Sequence, residues 1–175
     1  CVLERADVRD VFISTKYNSI SDLPDGAILG TSSSRRASQA LNVRPDLKII
    51  PLRGNIITRI SKLKDGVADA TFLAMAGLTR AEIFDKEIMH PISIQEMLPA
   101  ISQGAIGIEI LSDNYKMREL LKPLNHKPSY ICTQAERSFM GIFEGSCTTP
   151  IAALAEITED QLSIKCLIAK PDGSI

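Results

Sequence analysis

Arg35, Arg36, Arg53, Arg59 and Arg80 make up five of the ten arginines in the chain, each in or near a turn that follows an apolar run. A guanidinium presents a rigid fork of donors that matches a carboxylate or phosphate with two parallel hydrogen bonds. Arg35 and Arg36 come directly after Thr31-Ser32-Ser33-Ser34, a string suited to capping a helix, so they fall in an expected first helical turn. The free N–H groups and the macrodipole already make that end positive, and a cation there is disfavoured by about 0.3–1 kcal/mol unless an anion is present. Taken singly, each arginine reads as solvated surface. As a set they ask for a ligand with several anionic groups, and the helix start would add its own N–H donors.

The second chemical candidate is a thiol. Cys147 follows Glu144-Gly145-Ser146 in an expected loop and precedes Thr148-Thr149-Pro150. A free cysteine is most often a small buried hydrophobe, but an accessible one can carry a covalent group. Cys1, Cys132 and Cys166 lie in or beside apolar segments and take the buried reading. Neither the cysteines nor His90 and His126 have the spacing of a metal site.

The elements that must position these groups alternate between strand and helix. Residues 27–30 read as a strand, and Ala37, Ala40 and Leu41 give the helix after it one buried face. Residues 48–52 read as a second strand, followed by the turn Arg53-Gly54-Asn55. A helical stripe at Ile56, Ile60 and Leu63 comes next and closes at Gly66. Residues 68–74 make a third strand with a short helix beginning at 76. This order implies parallel pairing, with ligands held at the carboxyl ends of strands, so the turns at 30–36, 53–59 and 76–80 share one rim. Residues 91–102 read as a crossover, 105–111 as another strand, 114–124 as a helix and 125–128 as a linker. A helix over 129–143 precedes the Cys147 loop. Two alternating segments, 152–158 and 161–169, are separated by Glu159-Asp160 and read as a hairpin.

Composition sets the limits. With 175 residues, 45% hydrophobic and 23% charged, the chain suits one ordinary domain or two small ones. Twenty basic against 21 acidic residues leave a net charge of −1, which argues against a general nucleic-acid grip, and stacking aromatics are few. No apolar run approaches a membrane span, so the expected setting is the cytoplasm. The start at Cys1 and the turn-like end at 171–175 suggest a fragment at both ends.

The longer motifs carry a resemblance. Residues 30–36 (Gly-Thr-Ser-Ser-Ser-Arg-Arg), Pro45-Asp46-Leu47, the run from Leu52 to Leu63, and Ala76-Gly77-Leu78-Thr79-Arg80 resemble the porphobilinogen deaminase (hydroxymethylbilane synthase) family in order and spacing. So do residues 98–109, Ala135-Glu136-Arg137 and residues 144–147. That resemblance implies a transferase of porphyrin and haem biosynthesis, joining four porphobilinogen molecules head to tail with loss of ammonia on a dipyrromethane primer. The primer would be bound as a thioether to Cys147. Ser33, Arg35, Arg36 and Arg59 would hold its carboxylates; Arg53, Arg59 and Arg80 would meet the substrate and the growing chain.

The implied fold is α/β. A periplasmic-binding-protein-like lobe, with a mixed and mainly parallel sheet between helices, would be joined to part of a small α+β domain. Residues 1–8 would end a first domain, 9–98 form the arginine-rich lobe, 99–124 return to the first domain, and 127–175 belong to a third. The family's catalytic aspartate and its neighbouring lysine lie in a first-domain motif that matches nothing here, so no catalytic acid or base is assigned and this piece alone is expected to be inactive. The expected partner is porphobilinogen itself, with no nucleic acid, membrane or metal, in a monomer. Ser34, Ser146, Thr149 and Ala152 depart from the family's usual residues. The competing reading is a two-lobed anion-binding or carboxylate-binding module without catalysis, which would need the arginines but not the thiol.

Overall fold

A computed structural model of the chain describes residues 1–143 and 149–174. Five strands form one sheet: β1 (Asp10–Ile13), β2 (Ile28–Gly30), β3 (Lys48–Ile50), β4 (Ala70–Ala74) and β5 (Met89–Pro91), in the order β3-β2-β4-β1-β5. β2 pairs in parallel with β3 and β4, whereas β1 runs antiparallel to both β4 and β5. The sheet is therefore evenly mixed rather than mainly parallel. Repeated strand-helix units argue only for the β2, β3 and β4 ladders, and the sequence reading did not include β1 or β5.

Alternation along the strands sends side chains to both faces, and helices cover each face. Phe12, Leu29, Ala70 and Phe72 pack on one side with Ala40 of α1 (Ser34–Val43). Val11, Ile13 and Leu73 pack on the other with Leu63 of α2 (Ile56–Lys64) and Leu78 of α3 (Met75–Arg80). The helix starts are chemically marked: Ser33 Oγ accepts from the N–H of Arg36, and Asn55 Oδ1 from that of Thr58. Gly30 ends β2 where an added Cβ would stand 3.0–3.2 Å from side-chain atoms of Leu52 and Ala68, so any larger residue would have to push these neighbours aside.

The expected strand at 105–111 does not form. The backbone ladder contacts of residues 104–108 are with the N-terminal segment, through the bridge Val2↔Gly107 and backbone bonds such as Leu3 N–H to the Ile106 carbonyl. Ile106 and Leu111 stay exposed, and α4 (Tyr115–Leu121) buries no residue. With no layer against them, the apolar residues of this stretch have nothing to align a ladder. The helix expected over 114–124 does form, capped by Asn114 and passing from α4 into a 3-10 turn at Lys122–Leu124.

The expected linker at 125–128 is partly helix. α5 (Lys127–Ile142) takes Pro128 into its first turn, where the missing N–H costs nothing. β6 (Ile151–Thr158) and β7 (Gln161–Ile168) form the anticipated hairpin, with Glu159 and Asp160 both at positive φ in a two-residue turn. α5 packs on β6, and Ala152 and Leu154 meet Leu98 and Val8 beside the sheet. A buried ion pair ties these pieces together. Glu136 on α5, fully buried, accepts from Arg5 Nη1 at 2.6 Å and from the backbone N–H groups of Ser102 and Ala155.

Candidate functional site

Where β2 ends and α1 begins, the chain turns at Thr31-Ser32-Ser33 and leaves a cavity of about 510 Å³. Its polar wall is residues 31–36 together with Arg59. Ala100, Ile101, Met140 and Ile151 form its apolar wall, and Thr149 also lines it. α1 supplies Arg35 and Arg36 from its first turn, and α2 supplies Arg59 from one turn beyond its Asn55 cap. Ser34 begins α1, and Thr31, Ser32 and Ser33 come from the loop between β2 and α1.

The arginines are not loose. Arg35 and Arg36 are 5% and 11% exposed, and both grip Asp10, which has no exposure at all. Arg35 Nη1 donates to Asp10 Oδ2 at 2.7 Å and to the Leu98 carbonyl at 2.7 Å. Arg36 donates from Nε and Nη2 to Asp10 Oδ1 at 3.0 and 2.8 Å, and from Nη1 to the Phe72 carbonyl. The anion that the sequence demanded beside this helix start is, in part, internal. Asp10 stands on β1, a strand the sequence reading omitted. Its only signal was an acidic residue at the head of the apolar run Val11-Phe12-Ile13.

One carboxylate does not balance the charge. Burial on its own would raise the Asp10 carboxyl, but Arg36 and Arg35 outweigh it and hold the group below the usual carboxylate range. Burial pushes the Arg36 guanidinium down; Asp10 opposes that push, while Arg35 and Arg59 add to it. Arg59, whose Nε donates to the Gly54 carbonyl at 2.8 Å, brings a third cation to the same wall. Among the described residues of this wall, three guanidiniums, two of them gripping one buried carboxylate, leave two positive charges unbalanced, which suits a ligand carrying more than one carboxylate.

The sequence-derived residues divide as follows. Ser33, Arg35, Arg36 and Arg59 converge on the cavity, with the Ser33 hydroxyl occupied as the α1 cap. Arg53 is exposed and lies outside the cavity wall, and Arg80 donates from Nη2 to the Gly104 carbonyl at 2.9 Å, also outside it. Cys147 lies outside the described residues, but Met140 and Thr149, on either side of that span in sequence, both line the cavity. Among the described residues no group of His, Cys, Asp or Glu could hold a metal ion, and no helix is long and apolar enough to cross a membrane.

Comparison with known proteins bears on the same residues. Residues 1–119 match the family model for the porphobilinogen deaminase dipyrromethane cofactor binding domain, and residues 130–175 that for the porphobilinogen deaminase C-terminal domain. Over 174 residues, 99% of its length, the chain is 48% identical to porphobilinogen deaminase of Paracoccus denitrificans and 47% identical to that of Campylobacter hominis. It is 41% identical to that of a Sulfurovum species. It spans 55–56% of the length of these relatives. Among solved structures, a Salmonella typhimurium periplasmic binding protein described for its high arginine specificity aligns with 80% of this chain and 62% of its own at a TM-score of 0.45 and 13% identity. Matched along nearly its whole length by the two family domains, and containing the one that binds the dipyrromethane cofactor, the chain belongs to the porphobilinogen deaminase family.

Proposed function

We propose that the protein containing this chain is a hydroxymethylbilane synthase, and that the cavity at the start of α1 is where its dipyrromethane is held. The observation that carries this reading is the convergence of Arg35, Arg36 and Arg59 on one cavity whose wall also includes Met140 and Thr149, the latter two residues from Cys147. A dipyrromethane has two pyrroles, each with an acetate and a propionate, so its four carboxylates meet a wall with two unbalanced positive charges and the N–H groups of a helix start. The sign of the charge suits the ligand, and the wall offsets two of its four negative charges.

In this reading Cys147 anchors the cofactor by a thioether, and Arg35, Arg36 and Arg59 hold its carboxylates. The bound group supplies the primer to which four porphobilinogen units are joined head to tail with release of ammonia. The residues of this chain bind and orient. The forks of Arg36 and Arg59 fix the carboxylates, the α1 N-terminus adds N–H donors, and Ile101, Met140 and Ile151 exclude water from the pyrrole faces. Arg53 and Arg80, exposed beyond the cavity, receive the carboxylates of incoming substrate and lengthening chain. Residues 9–98 serve as the binding lobe, 99–124 as its connection to the rest of the protein, and 127–175 as part of the small domain that carries Cys147. The acid-base group of the reaction is not placed in this chain.

Paired variants of the whole protein test the reading. Cys147→Ser is expected to abolish both bound cofactor and turnover of porphobilinogen, and Arg35→Leu to prevent cofactor retention. Unimpaired function in Cys147→Ser would replace this reading with that of an anion-binding module, which needs the arginines and not the thiol.

A further inference from the structure

Asp10 is the one fully buried acid in the sheet, and the side chains bonded to its carboxylate belong either to the anion site or to the chain crossing beside it. Its Oδ2 receives Arg35; its Oδ1 receives Arg36 twice and Gln103 Nε2 at 3.2 Å. Gln103 also donates from Nε2 to the Val8 carbonyl at 2.7 Å, and its Oε1 accepts from Arg35 Nη2 at 3.4 Å. Val8 and Asp10 lie where the chain enters the sheet, and Leu98 and Gln103 lie where it has left. Gln39 of α1 fixes Leu98 from both sides, accepting from its N–H at 2.8 Å and donating to its carbonyl at 3.0 Å. The two guanidiniums that face the cavity are thus fastened from behind to both chain crossings by one carboxylate and one amide.

We propose that Asp10 is a positioning residue of the anion site: it is the resident counter-ion that sets the forks of Arg35 and Arg36 before a ligand arrives, and Gln103 joins that setting to the 98–103 connection. This rests on the reading of the cavity as a carboxylate site and goes beyond it in assigning the organising role to a residue that touches no ligand. The chemistry follows from charge and geometry. Two guanidiniums held side by side in a dry site repel each other, and Asp10 supplies the negative charge that keeps both in one arrangement. A ligand carboxylate entering from the cavity adds a second negative charge to a preassembled pair. Without Asp10 the two cations repel each other unrelieved, and a ligand carboxylate takes over the role of counter-ion, so the folded state binds the anion more tightly and gains more stability from it.

The test is thermal unfolding of the whole protein, produced without a porphobilinogen supply so that it carries no cofactor, in a series of low millimolar citrate at ionic strength matched with sodium chloride. Citrate serves as the polycarboxylate probe, and the comparison of variant with parent removes its general salting-out effect on folded proteins. The expected result is that citrate raises the midpoint of Asp10→Asn by at least twice as many degrees as that of the parent. Equal increments in the two proteins, or no increment in either, overturn the proposal. A Gln103→Leu variant keeps the ion pairs and removes only the amide, so it should fold and show an increment between the two. If Asp10→Asn folds only in citrate, that is the extreme of the expected behaviour. If it folds in neither condition, a Gln103→Leu increment equal to the parent's overturns the proposal. Absence of cofactor on Cys147 in parent protein made with porphobilinogen would instead refute the primer reading, leaving the citrate comparison unaffected.

Discussion

Glu136→Gln removes the negative charge from a fully buried carboxylate that holds four donors: Arg5 Nη1 at 2.6 Å, Arg5 Nη2 at 3.1 Å, and the N–H groups of Ser102 and Ala155 at 2.6 and 2.9 Å. Glutamine has the same shape but offers one oxygen and one NH2, so at least one of these donors then faces another donor. The Arg5 side chain is 10% exposed and cannot turn to water without opening the junction between the N-terminal segment, residue 102, α5 and β6. Removing one partner of such a pair costs about 3–5 kcal/mol, because the other charge stays buried without its partner. For a chain of this size that corresponds to a fall of roughly 6–20 °C in thermal midpoint. The assay is calorimetry or circular dichroism on parent and variant, with near-native far-UV spectra at low temperature as the control. The double variant Arg5→Met with Glu136→Met, which replaces the pair by apolar groups of similar length, should be less destabilised than the sum of its two single variants. A fall of less than about 2 °C in Glu136→Gln would refute the reasoning, since it leaves under about 1 kcal/mol for the whole junction.

Two other predictions follow from single contacts. Gly104 has a φ of +84°, and a Cβ there would stand 2.7 Å from the Ala6 carbonyl, so Gly104→Ala should lower the midpoint by an amount matching at least about 1 kcal/mol; an unchanged melting curve would contradict the crossing of the two connections at that point. Asp10, faced by Arg35, Arg36 and Gln103, has its folded-state pKa lowered, so its contribution is fully present above its unfolded value of about 3.9 and is lost as pH falls through the folded value. Parent protein should therefore lose stability on acidification below that point more steeply than Asp10→Asn, and parallel acid-unfolding curves would count against the pairing.

Local chemistry in the sequence carried much of the fold. The serine string before Arg35, Asn55 before the second stripe, and Glu159-Asp160 between two alternating runs each act within a few residues of themselves, and the structure has α1, α2 and the β6–β7 turn at those places. β1 was not legible, because Asp10–Ile13 is buried on both faces and so shows no alternation, and its partners lie some sixty to eighty residues away in β4 and β5. The run 105–111 misled for the opposite reason: it has the composition of a strand, but strand formation needs neighbours, and there only residues 1–3 provide them.

The site divides in the same way. Two arginines in a first helical turn broke a local electrostatic rule, and the structure places the Asp10 carboxylate against both of them. What that violation could not show was that a carboxylate from 25 residues upstream supplies part of the charge, since spacing along the chain carries no information about which strand lies beside the helix start. Nor could spacing separate Arg59, which joins the cavity, from Arg53 and Arg80, which lie outside its wall.

The central claim is that the arginine-lined cavity holds a dipyrromethane anchored at Cys147, and its most direct test is the mass of the Cys147 peptide from the whole protein expressed with a porphobilinogen supply. The account predicts a dipyrromethane-sized increment on that peptide and its loss in Arg35→Leu. An unmodified thiol in folded, soluble parent protein would contradict it.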